Sequence, residues 1–334
     1  MTSQGCATPP GICQIGPIQS GGTATTSQDM SYTFTDASGH NNGNVVTIAN
    51  NLDMDRTQSF TYDSLNRLSS AWTTGTNQPA FNGDTDYLQE CWSENYSYDP
   101  WGNLLKLGPG SSSSYTGCTQ ESGFDFSSSG SIGANNRIAV SGYVYDAAGN
   151  LITSPGAGTV TFNAENQMVS AGGVNYLYDG DGKRVSKSNG TLYWYGTGSD
   201  PLLETTNAGA AFNSYIYFDG KRVGKSTTLG PGGISWFMTD HLGTSRVVSS
   251  TAGSDVSDFY PFGGERVVQA TSGVSNHYKF TGKERDGTPS TETGLDYFGA
   301  RYYSNGLGRW VSADWSATAT PVPYADFVNP QSLN

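Results

Sequence analysis

Short runs in which apolar and polar residues alternate occur along most of the chain, and turn-forming residues separate them. The segment YVYDAAGNLIT at 143–153 shows the pattern in full. Alternation with a period of two, carried by aromatic and β-branched residues, is typical of a half-buried strand. Asp stabilises a turn through its carboxylate, and Gly adopts a positive φ without steric cost. The segment 143–153 is therefore predicted to form a β-hairpin.

The same pattern recurs along the chain. Most copies have two aromatic residues separated by one residue, then Asp or Asn, a short polar turn, and a return to apolar residues. The copies are FTYDSLNRLSS at 60–70, YSYDPWGNLLKL at 96–107, YVYDAAGNLITS at 143–154, VTFNAENQMVSA at 160–171, YLYDGDGKRVSKS at 176–188 and a degenerate YIYFDGKRVGKS at 215–226. A unit this short cannot bury its own apolar face, so neighbouring units must pair or stack. The repeat predicts a spiralling antiparallel β-hairpin sheet.

The Tyr-Asp pairs are interpreted as the residues that hold these hairpins together, with the tyrosines forming a ladder from unit to unit. Binding of a ligand by the pairs themselves is the alternative. The residues singled out are Tyr62, Asp63, Tyr98, Asp99, Tyr145, Asp146, Gly149, Tyr178 and Asp179.

Composition favours an all-β chain. The 334 residues include 44 Gly, 20 Tyr, 14 Phe and 7 Trp, and only 14% are charged. Helices require more Ala, Leu, Glu and Lys, and disordered chains contain fewer aromatic residues. The net charge of −12 disfavours binding to nucleic acid or anionic lipid. No apolar run of about 18 residues is present, so no membrane span is predicted.

Four cysteines, Cys6, Cys13, Cys91 and Cys118, are candidates for disulfide bonds. Four cysteines allow three pairings, and the sequence does not choose among them. No CxxC motif occurs and no His lies near a Cys, so a metal site is not predicted. No phosphate-binding loop or other cofactor motif is present, and we expect no cofactor.

The repeat resembles the YD repeat of the Rhs and YD-repeat family, which includes bacterial polymorphic toxins, the C components of insecticidal toxin complexes and the animal teneurins. More specific motifs follow in the C-terminal third: DHLGTSRVV at 240–248, DFYPFGGE at 258–265 and KFTGKERDGTPSTETGLDYFGARYYSNGLGRWVSADW at 279–315. They resemble, in the same order, the elements of that family's core domain. Asp240, His241 and Gly243 belong to the first of them.

This resemblance implies an all-β hollow shell, in which a long spiralling β-strip is closed at one end by an Rhs core plug. The expected organisation is a flexible N-terminal segment at 1–29, a YD-repeat β-spiral at 30–226 and the core plug at 227–334. The implied function is a structural shell or scaffold fragment of a secreted or surface-delivered bacterial protein, although no secretion signal is recognised at the N-terminus. Its partner would be an encapsulated effector or a surface target, with self-assembly as a further option.

Two other functions remain open. Toxin members of the family cut themselves with an Arg and two Asp, and Arg301 and Asp314 match the Arg and the first Asp. The second Asp, in a DPxG segment, has no match, so we expect no self-cleavage and interpret Arg301 and Asp314 as structural. The other function is a carbohydrate-binding surface adhesin that uses exposed aromatic residues. His241 lies beside Asp240, but no nucleophile motif accompanies the pair, so a packing role is predicted.

Overall fold

The fold is built from short antiparallel strands that follow one another along the chain. In a computed structural model of the protein, the residues described are 11–15, 26–73, 92–109, 123–155, 157–227, 233–271, 276–287 and 292–313. These residues contain strands and two single-turn 3-10 helices, Met54–Arg56 and Phe280–Gly282. No helix within these ranges is long and apolar enough to cross a membrane.

The strands described in these ranges form three sheets, and within each sheet every strand pairs antiparallel with its neighbours in sequence. Sheet one contains β1 (Gly11–Ile15), β2 (Thr26–Thr33), β3 (Thr47–Asn50), β4 (Gln58–Tyr62), β5 (Leu68–Thr73), β6 (Ser93–Tyr98), β7 (Leu104–Pro109) and β8 (Phe124–Asp125). Sheet two contains β9 (Val144–Tyr145), β10 (Leu151–Ser154), β11 (Gly158–Phe162), β12 (Met168–Ala171), β13 (Val174–Tyr178), β14 (Arg184–Lys187), β15 (Thr191–Tyr195), β16 (Pro201–Thr206), β17 (Ala211–Phe218), β18 (Lys221–Ser226), β19 (Ile234–Thr239), β20 (Ser245–Ser250), β21 (Gly253–Phe259) and β22 (Glu265–Gln269). Sheet three contains β23 (Glu284–Arg285), β24 (Asp296–Tyr297), β25 (Tyr302–Ser304) and β26 (Arg309–Trp310). The prediction of an all-β chain with large antiparallel sheets is confirmed.

Most of the tight turns share one backbone geometry. In the turn after β9, Asp146 N–H donates to the Asn150 carbonyl at 3.0 Å, and Gly149 N–H donates to the Asp146 carbonyl at 3.2 Å. Gly149 has a φ of +98°. The same pair of hydrogen bonds recurs in the turns that begin at Asp36, Asp63, Asp99, Gly133, Asn163, Asp179, Thr206, Asp240, Tyr260 and Lys279. A three-residue loop that ends in a left-handed residue fixes the register of the hairpin and adds twist through a β-bulge.

The core lies between the sheets. On sheet two, Leu151, Met168 and Tyr176 pack against Leu295 and Tyr302 of the C-terminal segment, in one cluster of buried residues. Sheet one contributes Trp92, Tyr96 and Leu107 to a second cluster that reaches Tyr260 of sheet two.

Sheet two curves around the C-terminal segment. Arg285 Nη2 donates to the Gly263 carbonyl, in the turn between β21 and β22, at 2.8 Å. The next residue, Asp286, pairs with Arg184 of β14 at 2.6 Å. In a flat sheet, β14 and β22 would lie about 38 Å apart, because neighbouring strands are separated by roughly 4.8 Å. Two consecutive residues contact both strands, so the sheet must bend round them.

The predicted domain limits fall as follows on this architecture. The segment 1–29 contains β1 and the first residues of β2, and β1 pairs with β2. The limit at 226/227 lies between β18 and β19, which pair with each other from Gly224↔Trp236 to Ser226↔Ile234. Sheet two therefore continues through that limit as far as β22, and the strands that follow it, β23 to β26, form sheet three.

Candidate functional site

The Asp of each Tyr-Asp pair is bonded within its own turn. Asp146 Oδ1 accepts from Asn150 N–H and Asp146 Oδ2 accepts from Asn150 Nδ2, both at 2.8 Å. Asp63 contacts Arg67, and Asp99 contacts Asn103, in the same two ways. Burial raises the pKa of Asp146, but the hydrogen bonds from Asn150 outweigh it and leave the pKa below its ordinary value. These carboxylates are engaged in stabilising the loop.

The tyrosine of each pair reaches towards the preceding unit or its turn. Tyr62 OH donates to the Val45 carbonyl at 2.7 Å, and Tyr178 OH donates to the Met168 carbonyl at 2.6 Å. Tyr145 OH accepts a hydrogen bond from Ile138 N–H at 3.1 Å. The centre of the Tyr98 ring lies 4.8 Å from the guanidinium carbon of Arg67. Burial raises the pKa of the Tyr98 and Tyr178 hydroxyls above the ordinary value. The tyrosines link one hairpin to another.

The DHLGT segment forms a turn of the same kind. Asp240 Oδ1 accepts from Leu242 N–H and Thr244 N–H, both at 3.0 Å, and Gly243 has a φ of +84°. Asp240 Oδ2 accepts from Arg246 Nε at 3.0 Å. His241 Nδ1 lies 3.0 Å from Tyr32 OH, and the two rings meet edge to face. Asp240 and His241 therefore contact different groups.

The residues of the self-cleavage hypothesis are only partly described. Arg301 lies between β24 and β25, with its guanidinium carbon 4.3 Å from the centre of the Trp310 ring. Asp314 lies outside the described residues. The expectation that the chain does not cut itself stays a prediction.

The disulfide prediction also stays a prediction. Cys6, Cys91 and Cys118 lie outside the described residues, and Cys13 lies in β1.

A buried network of charges joins sheet three to sheet two. Arg184, which is 0% exposed, pairs with Asp286 at 2.6 Å and with Glu284 at 2.8 Å. Lys187 pairs with the same two carboxylates at 2.7 and 3.2 Å and with Glu292 at 3.0 Å. Two cations of β14 thus hold three carboxylates from the C-terminal segment.

Hydroxyl groups complete this charge network. Tyr193 OH donates to Glu284 Oε1 at 2.6 Å, Tyr176 OH donates to Glu292, and Arg184 Nη1 donates to Tyr302 OH at 2.9 Å. A buried charge is tolerated only when it is paired and hydrogen-bonded. The network therefore depends on sheet three staying in place against β13 to β15.

The buried carboxylates differ in their acidity. Burial raises the pKa of Glu284, but the charges of Arg184 and Lys187 outweigh it and hold the pKa far below its ordinary value. For Glu292, burial and the neighbouring charge of Asp286 raise the pKa above its ordinary value, although Lys187 opposes them. Outside this charge network, another buried carboxylate, Glu204 of β16, has its Oε1 2.9 Å from His277 Nε2.

No sequence motif predicted this charge network, but the repeat contained a signal for it. Five residues after the turn Asp or Asn, four of the other copies have an apolar residue that is buried or partly buried: Leu68, Leu104, Leu151 and Met168. The copy at 176–188 has Arg184 there, and Arg184 is also buried. A cation at an inward position of the repeat predicts a buried carboxylate partner.

No protein-family model matches the chain. Toxin subunit YenC1 of Yersinia entomophaga is 26% identical over 360 residues, which cover 87% of this chain and 34% of YenC1. Toxin subunit YenC2 of the same organism is 45% identical over 64 residues, which cover 18% of this chain and 6% of YenC2. The chain thus spans about a third of YenC1.

Two solved structures have a similar fold. A TcdB2–TccC3 crystal structure without the hypervariable C-terminal region aligns with a TM-score of 0.60 at 21% identity, covering 91% of this chain and 16% of that chain. The Photorhabdus luminescens Tc holotoxin pore aligns with a TM-score of 0.57 at 21% identity, with the same two coverages of 91% and 16%.

Proposed function

Because the chain belongs to the Rhs/YD-repeat family, with toxin-complex C subunits among its relatives, we propose that it forms part of the wall of a shell that encloses a protein partner. The shell would belong to a secreted or surface-delivered bacterial toxin or adhesion protein. Closure of its end by the C-terminal segment is part of this proposal.

The observation that carries the proposal is the curvature of sheet two around residues 276–287 and 292–313. Contacts with this segment extend from Leu151 N–H of β10, which donates to the Val311 carbonyl at 2.7 Å, to Glu265 of β22, which pairs with Lys279 at 2.7 Å. Sheet one also takes part, since Arg309 Nη2 donates to Asn103 Oδ1 at 3.1 Å. A wall that curves in this way has an inner side on which a polypeptide can be held.

The relatives support a protein as the partner. The similar solved structures are complexes of TccC3 with TcdB2. The acidic chain, with a net charge of −12, favours a partner other than nucleic acid.

Protection of a fused polypeptide tests the proposal. An unstructured reporter that contains a TEV protease site is attached after Asn334, and the matched control carries the same reporter before Met1. We expect the C-terminal reporter to be cleaved at least about tenfold more slowly, because a protease reaches an enclosed segment only when the wall opens. Arg184→Leu, which leaves Asp286 and Glu284 without their main cation, should accelerate its cleavage.

Equal cleavage of the two reporters would overturn the proposal. The proposal would also fail if the C-terminal reporter were cleaved slowly and at the same rate in the Arg184→Leu chain. The protection would then not depend on contact between the wall and the C-terminal segment.

A further inference from the structure

Three turns that are far apart in the sequence meet around one cavity. They are the turn between β17 and β18, the turn Asp240–Thr244 and the turn Lys279–Lys283. The cavity has a volume of about 230 Å³, and its walls include Asp200, Lys221, Arg222, His241, Thr281 and Lys283. Its walls contain none of the residues that form the buried charge network of Arg184 and Lys187.

The charge of this cavity is opposite to that of the chain. Three of its lining residues are Lys or Arg, and only one, Asp200, is acidic. The whole chain has 17 Lys and Arg against 29 Asp and Glu. A concave site that concentrates one sign of charge attracts ligands of the other sign.

Arg222 is held rigidly at the cavity and retains hydrogen-bonding capacity. Its side chain is 7% exposed. The guanidinium carbon of Arg222 lies 3.4 Å from the centre of the Tyr278 ring, which covers one face of the guanidinium. Its Nε and Nη2 donate to Tyr217 OH at 3.2 and 3.1 Å, and Nη1 donates to the Gly282 carbonyl at 3.1 Å. A guanidinium has five N–H donors, so these bonds leave two that can bind an acceptor.

Asp200 only partly neutralises the cations. Asp200 Oδ1 lies 3.7 Å from Arg222 Nη2 and 3.8 Å from Lys283 Nζ, in both cases beyond the distance of a hydrogen bond. The two cations therefore face a common space with one carboxylate at its side. Lys221 is exposed at the same cavity.

The backbone at this place is also unusual. Thr281 has a φ of +50°, which a β-branched residue rarely adopts. Its N–H donates to Thr244 Oγ1 at 3.1 Å and thereby joins two of the three turns. Strained backbone is concentrated at functional sites, because the surrounding structure must hold it in place.

We propose that the cavity between the three turns binds a small oxyanion, of the phosphate or carboxylate type, between Arg222, Lys283 and Lys221. Charge-assisted hydrogen bonds from Arg and Lys suit the oxygens of such a group. His241, whose Nδ1 lies beside Tyr32 OH, is a further polar residue of the wall. The bound anion would join the Lys279–Lys283 turn to sheet two.

Isothermal titration of the full chain with inorganic phosphate tests the proposal, with acetate as a second arm and sodium chloride at equal ionic strength as the blank. We expect saturable binding at one site. Saturation by phosphate alone would identify a phosphate group as the ligand, and saturation by acetate alone a carboxylate.

Lys221→Gln with Lys283→Gln should weaken the binding at least about tenfold, as the loss of charge-assisted bonds implies. Lys106→Gln is the matched control, because Lys106 is 50% exposed and pairs with Asp125 elsewhere.

Asp200→Asn gives a prediction of opposite sign. Removing the competing carboxylate should tighten anion binding and raise the thermal midpoint further in the presence of the anion. Absence of saturable binding by both anions, equal weakening by Lys106→Gln, or no tightening in a folded Asp200→Asn chain would overturn the proposal.

Discussion

Single residues of the repeat each have a defined physical task. Asp146 accepts two hydrogen bonds from Asn150 and so closes its loop, while Gly149 supplies the positive φ that the loop requires. Asp63, Asp99, Asp179 and Asp240 occupy the same place in their own turns. The acidity of these side chains is therefore used for local structure.

Asp146→Ala is expected to lower the free energy of unfolding by about 1–2 kcal/mol, because the N–H groups of Asn150 lose their acceptor. Asp181→Ala, in the copy at 176–188, is the matched control. Asp181 is exposed, and its replacement should change stability by less than about 0.5 kcal/mol. Urea denaturation followed by tyrosine fluorescence measures both. Equal effects of the two changes would contradict the role assigned to Asp146.

Arg301 is in contact with Trp310, and we propose that it acts structurally in this chain. The purified chain should keep its intact mass during prolonged incubation, as measured by mass spectrometry. Adding a DPxG segment after Asn334 tests whether the rest of the family's machinery is present. A product cut from the extended chain, and absent in its Asp314→Asn variant, would show that Asp314 takes part in cleavage.

At the scale of elements, adjacent hairpins are joined by their turns as well as by their strands. Arg67 Nη1 donates to the Asp99 carbonyl, and Asn150 Nδ2 donates to Asn166 Oδ1, both at 2.9 Å. Lys183 Nζ reaches the Gly198 carbonyl at 3.1 Å. Arg67, Asn150 and Lys183 each follow the residue with a positive φ in their own turn. Each of them thus contacts the next turn, and these contacts align successive hairpins along one side of the sheet.

The hairpin between β12 and β13 also supports the C-terminal segment. A Cβ at Gly172 would lie within 3 Å of three backbone atoms of Glu292, whereas a Cβ at Gly173 would meet nothing within 4 Å. Both glycines have a positive φ, of +56° and +83°. Gly173→Ala should therefore cost only about 1 kcal/mol in backbone strain.

Gly172→Ala should cost more than Gly173→Ala, because it also displaces Glu292. Hydrogen exchange of residues 292–304 measures the difference. We expect faster exchange in the Gly172→Ala chain and unchanged exchange in the Gly173→Ala chain. The same exchange rates in both would show that this hairpin does not hold the segment.

At the scale of the whole molecule, buried charge pairs join the sheets in addition to the apolar clusters between them. Arg56 forms a two-bond pair with Asp258 at 2.8 Å and so joins sheet one to sheet two. Arg184 and Lys187 join sheet two to sheet three. Removing one member of such a pair leaves a buried charge without compensation, which is why assembly of the sheets should be sensitive to pH.

Stability should decline as the pH falls below about 4.5, the ordinary pKa of a glutamate. Glu284 has a depressed pKa in the folded chain, so its contribution is complete above that pH and is lost as the pH falls towards the folded value. Glu292 has a raised pKa in the folded chain, so its contribution is complete below about pH 4.5 and is lost as the pH rises from there towards the folded value. Glu284→Gln should therefore flatten the decline below about pH 4.5 by up to about 1.4 kcal/mol per pH unit. Glu292→Gln should instead remove a loss of stability that the unmodified chain shows as the pH rises just above 4.5.

Unfolding free energies measured by urea denaturation between pH 3 and 7 check these slopes. Parallel pH profiles for the unmodified chain and the Glu284→Gln chain would show that this carboxylate is not held in its charged form by Arg184 and Lys187.

The strands and turns were determined by the sequence itself, because alternation and a left-handed turn residue act within one hairpin of about 15 residues. The Tyr-Asp pattern and the all-β class follow from that local physics. The position of sheet three, the pairing of Arg184 with Asp286 and the meeting of Arg222 with Lys283 were decided only by the tertiary structure. These groups are separated by many residues, and they come together because the twist of successive hairpins accumulates into a curve, which no single repeat contains.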